Sequence, residues 1–272
     1  MLPAINIPPL ELFGVVFKPF HLLILAAVVG GHHLGLRRAR QTGLDEKVMA
    51  DGNILCMATG FVGAHLVALI FYHPERILED PLILLAIWNG MSSFGGLIGA
   101  YWGARVYYRR KGTSLTTYAD AKIFGFVPVW MIGRLGCTIT FDHPGTPTNF
   151  LLGMSDKKGI LRDHFGFYRG GVVRHNLGFY ELLLTAGLTM VLHLTGGYQP
   201  FPLFHSALML LLYCPARFGF DFLRVRDRLY LGLTPAQYLS IAGLGVAAYL
   251  IHLGRGAQAR ASTTEDKNVS TQ

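Results

Sequence analysis

Seven mostly apolar stretches of about 20 residues, set apart by short polar segments, constrain this chain more than any other feature. A stretch of that length with few charges crosses the hydrocarbon core of a bilayer as a helix. Inside lipid, only helices and closed barrels satisfy their own backbone hydrogen bonds. The stretches run from about Phe20 to Leu36, Asn53 to Tyr72, Leu82 to Tyr107, Ala121 to Thr140, Leu177 to Leu194, Phe201 to Leu223 and Leu233 to Leu253. Composition agrees, since 51% of the 272 residues are hydrophobic, only 15% are charged, and the mean hydropathy is +0.39. The prediction is an all-α membrane protein of about seven transmembrane helices. Residues 1–254 form one polytopic domain, residues 141–176 an outer loop region between spans four and five, and residues 255–272 a polar, Ser/Thr-rich cytoplasmic tail expected to be disordered.

Lysine and arginine set the expected orientation. Arg37, Arg38, Arg40 and Lys47 follow span one, Arg109, Arg110 and Lys111 follow span three, and Arg255 and Arg260 follow span seven. Placing these inside puts the N-terminus outside and the C-terminus inside. Arg224, Arg226 and Arg228 then fall on the disfavoured outer side, where a basic cluster suits an anionic headgroup. The net charge of +8 is distributed in short clusters between apolar segments, which argues against nucleic-acid binding. Glu11 and Lys18 interrupt the N-terminal region, so no cleavable signal peptide is expected and the first span serves as its own insertion signal. Cys56, Cys137 and Cys214 are odd in number, far apart and embedded in apolar residues, a pattern of neither a disulfide framework nor a zinc site. No internal repeat of the inverted-transporter kind is visible.

Four constellations carry candidate chemistry. Arg134 ends the fourth apolar run between Gly133 and Gly136, with Asp142 and Gly145 following. A guanidinium at that depth is costly and marks a site, unless it snorkels from a helix end. Arg217, Asp221 and Arg224 share one helix face, either to hold a phosphate with guanidinium forks or as an intrahelical ion pair. Gly95 and Gly96 lie in the small-residue run from Asn89 to Gly99, which serves close helix packing or a narrow cleft for a lipid chain. His175, Tyr180 and Glu181 open span five. The tyrosine there reads as an interface anchor, and the intramembrane glutamate calls for an arginine partner.

In this order the four stretches resemble the bacterial prolipoprotein diacylglyceryl transferases. Arg134 stands in GRLG where the family has GR-x-G-N, with Asp142 and Gly145 at its later acid and glycine. MSSFGGLIGA is similar to the family's glycine-rich third-span motif, HNLGFYE to its HPSQLYE-type stretch, and RFGFDFLR to its RF-x-x-E-F-x-R, while Ala236-Gln237 fits its GQ. Several polar positions depart from the pattern. Phe94 replaces a histidine before the glycine pair, Cys137 replaces the asparagine, His65 falls where an arginine is common, and His21 lies about where the first span carries a functional tyrosine.

The resemblance implies transfer of a diacylglyceryl group from phosphatidylglycerol to the thiol of a lipobox cysteine in a prolipoprotein signal peptide, with glycerol phosphate leaving. It places the chain in the bacterial cytoplasmic (inner) membrane and implies no metal and no organic cofactor. Arg134 and Arg217 are the expected catalytic cations, with His65 or His21 as a relocated base because Phe94 has no proton acceptor. The expected substrate-binding residues are Arg134, Asp142, Gly145, Gly95, Gly96, Tyr180, Glu181, Asp221 and Arg224. The alternative reading is a non-catalytic or repurposed lipid- or lipoprotein-binding homologue, which Phe94 and Cys137 favour. Either way, Arg134 and Arg217 should converge on one anionic group, with guanidiniums less than roughly 12 Å apart.

Overall fold

A helix stands at each of the seven predicted stretches in the computed structural model, which describes residues 2–3, 7, 10–12, 15–17, 19–72, 74–86, 92–141, 143–155, 172–225 and 229–270. The helices are α1 (Pro19–Gln41), α2 (Glu46–Tyr72), the short α3 (Pro74–Glu79), α4 (Ser93–Arg110), α5 (Leu115–Thr140), α6 (Leu177–Thr195), α7 (Phe204–Asp221) and α8 (Pro235–Ser270). Four of them hold segments long and apolar enough to cross a membrane: Glu46–Ile70, Leu115–Thr140, Leu177–Thr195 and Pro235–Thr263. The fold is thus mostly helical, as an all-α membrane protein requires.

One expectation is corrected. The third stretch does not start a continuous helix at Leu82. Asp80 accepts a hydrogen bond from Leu82 N–H at 3.0 Å and Pro81 fixes the next φ, so the chain makes a tight 3-10 turn over Pro81–Leu85. The helix proper begins at Ser93, where Ser92 caps Gly95 N–H at 3.4 Å. Helix α8 runs on through residues 255–270 to Ser270. Alanines in that segment favour helix locally even where Ser and Thr make it polar.

The chain forms two compact units, residues 1–35 with 122–272 and residues 36–121, and the divisions fall inside α1 and inside α5. In the second unit, α2 and α4 meet backbone to backbone. A Cβ on Gly95 would lie 2.3 Å from the Gly63 carbonyl oxygen, one on Gly99 2.2 Å from that of Thr59, and one on Gly103 2.1 Å from the Thr59 hydroxyl. Small residues four apart on both helices allow this approach. One end of the unit is closed by Ala39, Met49, Tyr108, Tyr118 and Ala121, with Tyr108 stacked on Tyr118 at 4.8 Å.

In the first unit, α1 and α5 also cross at glycines, since a Cβ on Gly125 would lie 2.4 Å from the Gly31 carbonyl oxygen. Val127 of α5, Leu188 and Leu192 of α6, and Met209, Tyr213 and Cys214 of α7 form the core. A small sheet follows α5, with strands β1 (Leu2–Pro3), β4 (Pro144–Pro147), β5 (Met154–Ser155) and β6 (Val173–Asn176) in the order β1-β5-β6-β4. β1 runs parallel to β5, and the other pairs are antiparallel. A separate hairpin joins β2 (Leu10–Leu12) to β3 (Val15–Phe17). Phe141 turns the chain out of α5 in the left-handed region, at φ 52°. That conformation costs a non-glycine residue about 1 kcal/mol or more, which burial of the ring against Met154 offsets.

Candidate active site

The end of α5 is locked to the start of α6. Asn176 caps α6 by accepting from Phe179 N–H at 3.2 Å, and its amide donates to the Thr138 carbonyl at 3.1 Å. Gly178 lies against the Cys137 backbone, where an added Cβ would meet the carbonyl carbon at 2.9 Å. Arg134 on α5 and Glu181 on α6 are each within one turn of these contacts, so the joint fixes their meeting.

Glu181 is the hub. Its side chain is 1% exposed, against 17% for Arg134 and 11% for Arg217. Arg134 Nη2 donates to Oε2 at 2.9 Å, the Tyr213 hydroxyl donates to the same oxygen at 2.9 Å, and Arg217 Nε faces Oε1 at an ion-pair distance of 3.7 Å. Arg217 Nη1 then donates to Asp221 Oδ1 one turn along α7, and the Thr234 hydroxyl donates to Asp221 Oδ2. Two guanidiniums and two carboxylates thus alternate along one chain of contacts from α5 to the start of α8. Arg134 is not fully used, since its Nε has no partner among the described residues and Nη1 lies 3.9 Å from Cys137 Sγ.

The far end of this chain is a capping box. Thr234 N–H donates to Gln237 Oε1 at 3.0 Å, and Gln237 N–H donates to the Thr234 hydroxyl at 3.2 Å, with Pro235 at the first helical position. The Gln237 amide also donates to the Phe218 carbonyl of α7 at 3.3 Å.

The structure therefore brings Arg134, Glu181, Arg217 and Asp221 together, and the group the two arginines share is Glu181. Gly145 lies at a junction where a Cβ would meet His175 Cβ and the Leu223 carbonyl oxygen, each at 2.8 Å, and it bridges Arg224 across an antiparallel backbone pair. Tyr180 is buried, with its hydroxyl 2.7 Å from His175 Nδ1. Asp142 lies outside the described residues, as do the side chains of His21 and Phe94.

Gly95, Gly96 and His65 belong to the other unit. Gly95 is taken up by the packing of α4 on α2, whereas a Cβ on Gly96 would meet only ordinary contacts at 3.7 Å. His65 is fully buried, with Nε2 2.9 Å from the Ile83 carbonyl oxygen and Nδ1 without a partner among the described residues. Among the described residues no cluster of His, Cys, Asp or Glu side chains is placed to hold a metal ion. Tyr213 and Thr234 escaped the sequence reading. Tyr213 sits four residues before Arg217, hence on the same helix face, and Thr234-Pro-Ala-Gln237 is a legible capping sequence.

The fold and this network define a helical, multi-pass membrane protein with paired arginines in its interior. The family model described as prolipoprotein diacylglyceryl transferase matches residues 9–253, and the chain belongs to that family. Among similar proteins is the phosphatidylglycerol–prolipoprotein diacylglyceryl transferase of Nitratidesulfovibrio vulgaris (strain Miyazaki F), 29% identical over 264 residues that cover 93% of this chain and 94% of that protein. The enzyme of the same name from Phenylobacterium zucineum is 31% identical over 205 residues, 71% of this chain and 70% of its own length. That from Roseobacter denitrificans is 25% identical over 274 residues, 90% and 92% of the two chains.

Proposed function

We propose that Arg134 and Arg217 hold the phosphate of phosphatidylglycerol while its diacylglyceryl group passes to the lipobox cysteine thiol of a prolipoprotein signal peptide. The activity of the chain is diacylglyceryl transfer from phosphatidylglycerol to prolipoproteins, the reaction for which its relatives are named. In this reading the chain spans the bacterial cytoplasmic (inner) membrane seven times, with the N-terminus outside and the C-terminus inside. Arg224 is a secondary contact to the anionic headgroup, and Asp142, Gly145 and Tyr180 shape its surroundings.

The observation that carries the reading is the convergence of both guanidiniums on Glu181, at 2.9 and 3.7 Å. As the glyceryl C–O bond breaks, a phosphodiester with one negative charge becomes a glycerol phosphate with two. Fixed cations beside that oxygen stabilise the later state more than the earlier one, which is what lowers a barrier. Glu181 and Asp221 hold the forks at set angles without occupying all their donors, and Arg134 Nε remains unpartnered among the described residues. Tyr213 and Thr234 complete the carboxylates, so neither acid is left half-satisfied.

The test is purified protein in phosphatidylglycerol vesicles with a lipobox peptide, read by the peptide's mass increase over time. Arg134→Ala and Arg217→Ala should each lower the rate at least about 100-fold while leaving a folded protein. Wild-type protein that binds the lipid yet never increases the mass of the peptide would mean a binder and sink the assignment.

A further inference from the structure

A cysteine thiol is mostly protonated at neutral pH, its free pKa being about 8.5, so attack by sulfur is helped by a base within hydrogen-bond reach. Phe94 offers no such base. His65 and His205 are both fully buried with Nε2 on a backbone carbonyl, of Ile83 at 2.9 Å and of Thr195 at 3.0 Å. Both rings are closed to solvent. His175 differs on each count. It lies on β6 just ahead of α6, it is only half-buried, and among the described residues its ring makes one hydrogen bond, between Nδ1 and the Tyr180 hydroxyl at 2.7 Å, with no partner at Nε2. Phe150 flanks both rings, 6.2 Å from His175 and 6.3 Å from Tyr180. Tyr180 is the residue immediately before Glu181, so the imidazole is one hydrogen bond and one residue from the hub of the arginine network.

From this geometry we propose that His175 Nε2 takes the proton of the incoming cysteine thiol, with Tyr180 as the positioning residue that orients the ring through Nδ1. The inference rests on the transferase reading above. In the required tautomer Nδ1–H donates to the tyrosine oxygen and the Nε2 lone pair faces outward. The proton moves from sulfur to Nε2, and the thiolate attacks the glyceryl carbon that bears the phosphate ester. The S–C bond forms as the C–O bond breaks, and glycerol phosphate leaves with the electron pair on its oxygen towards Arg134 and Arg217. The imidazolium then returns its proton to that product or to water.

Around the ring, the charged and titratable groups among the described residues are Arg174 beside it on β6, His143 ahead of β4, Tyr180 on α6, and Arg224 opposite Gly145. Asp142 lies outside the described residues, and Glu181, the one carboxylate of α6, is already engaged by Arg134, Arg217 and Tyr213. Burial disfavours the charged imidazole and pulls the His175 pKa below its ordinary value. The neutral, proton-accepting form is therefore the one present at pH 7.

The experiment is a pH-rate profile with the peptide and vesicle assay for wild type, His175→Asn, His175→Gln and Tyr180→Phe. Asparagine keeps an amide near the Nδ1 position and so the contact with Tyr180, but removes Nε2. In wild type, kcat should fall as the pH drops through the imidazole range, because protonated His175 accepts nothing. His175→Asn should lower kcat about 100-fold or more with KM little changed, lose that acid limb, and regain rate as the pH approaches the thiol's own pKa. Tyr180→Phe should cost less, about tenfold, and keep the limb. Wild-type kcat and an intact limb in His175→Asn or His175→Gln would overturn the inference. So would a wild-type profile that is flat through the imidazole range, a readout independent of how any variant folds. A wild type with no turnover at any pH would instead remove the transferase reading, and this inference with it.

Discussion

In the unit of residues 36–121, α2 and α4 approach through the backbones of Thr59, Gly63, Gly95 and Gly99. In the other unit, α5, α6, α7 and α8 are joined through Arg134, Glu181, Arg217, Asp221 and Thr234. The first contact is made of shape and the second of directed charge, and they fail in opposite ways. A shape contact has no room for an added carbon but asks little of chemistry. A charge contact tolerates changes of volume but leaves an uncompensated ion when one member is lost. Packing in lipid lacks the hydrophobic drive between helices that water supplies, so both devices are needed where a site must be held to a set geometry.

The largest effect should come from Gly99→Val, whose Cβ would sit 2.2 Å from a backbone oxygen that has nowhere to go. Little folded protein should reach the membrane fraction, measured by quantitative blotting and size exclusion in detergent. Normal yield with an unchanged melting temperature would show that α2 and α4 do not pack this way. Glu181→Ala comes next, with a loss of about 3–5 kcal/mol by denaturation in detergent, because two guanidiniums lose their shared partner. Tyr213→Phe removes one hydrogen bond to a charged oxygen and should cost about 1.5–3 kcal/mol in the same measurement. If it cost as much as Glu181→Ala, the tyrosine and not the arginines would be the main anchor of the carboxylate. The smallest effect belongs to Gly96→Ala, where the nearest atoms are an ordinary 3.7 Å away. It should be neutral or stabilising by up to about 1 kcal/mol from helix propensity, and a collapse like that of Gly99→Val would show that α4 packs on more than one glycine face.

The same contrast explains what could be read without coordinates. Arg134 and Glu181 were legible because charge at membrane depth demands a partner, and Arg217 and Asp221 because four residues make one helical turn. Gly95 was legible only as ambiguous, since a glycine run reads alike whether it admits a helix or a lipid chain. At Gly95 the backbone and side chains of α2 fill the space a Cβ would take, and Gly96 is left unblocked. The break before α4 was hidden by hydropathy, which scored Leu82 to Leu85 as membrane helix while the Asp80-Pro81 cap turned it into a 3-10 turn. The short strands were missed because two- to four-residue segments carry no periodicity to detect. The bond from His65 to the Ile83 carbonyl spans 18 positions, a separation that periodicity within one span does not show.

Thr234 carries a consequence for how the protein comes into being. Asp221 receives its second hydrogen bond from a residue at the threshold of the last helix, and the capping box that holds this threonine closes only when Gln237 is present. A nascent chain that has reached Asp221 but not yet Thr234 therefore carries the Arg217–Asp221 pair with one partner missing. Asp221 gains this last partner only when Thr234 has arrived and α8 docks on α7 through Gln237 and the Phe218 carbonyl. The pair is thus completed only after α7 is made, by a residue at the entrance of α8.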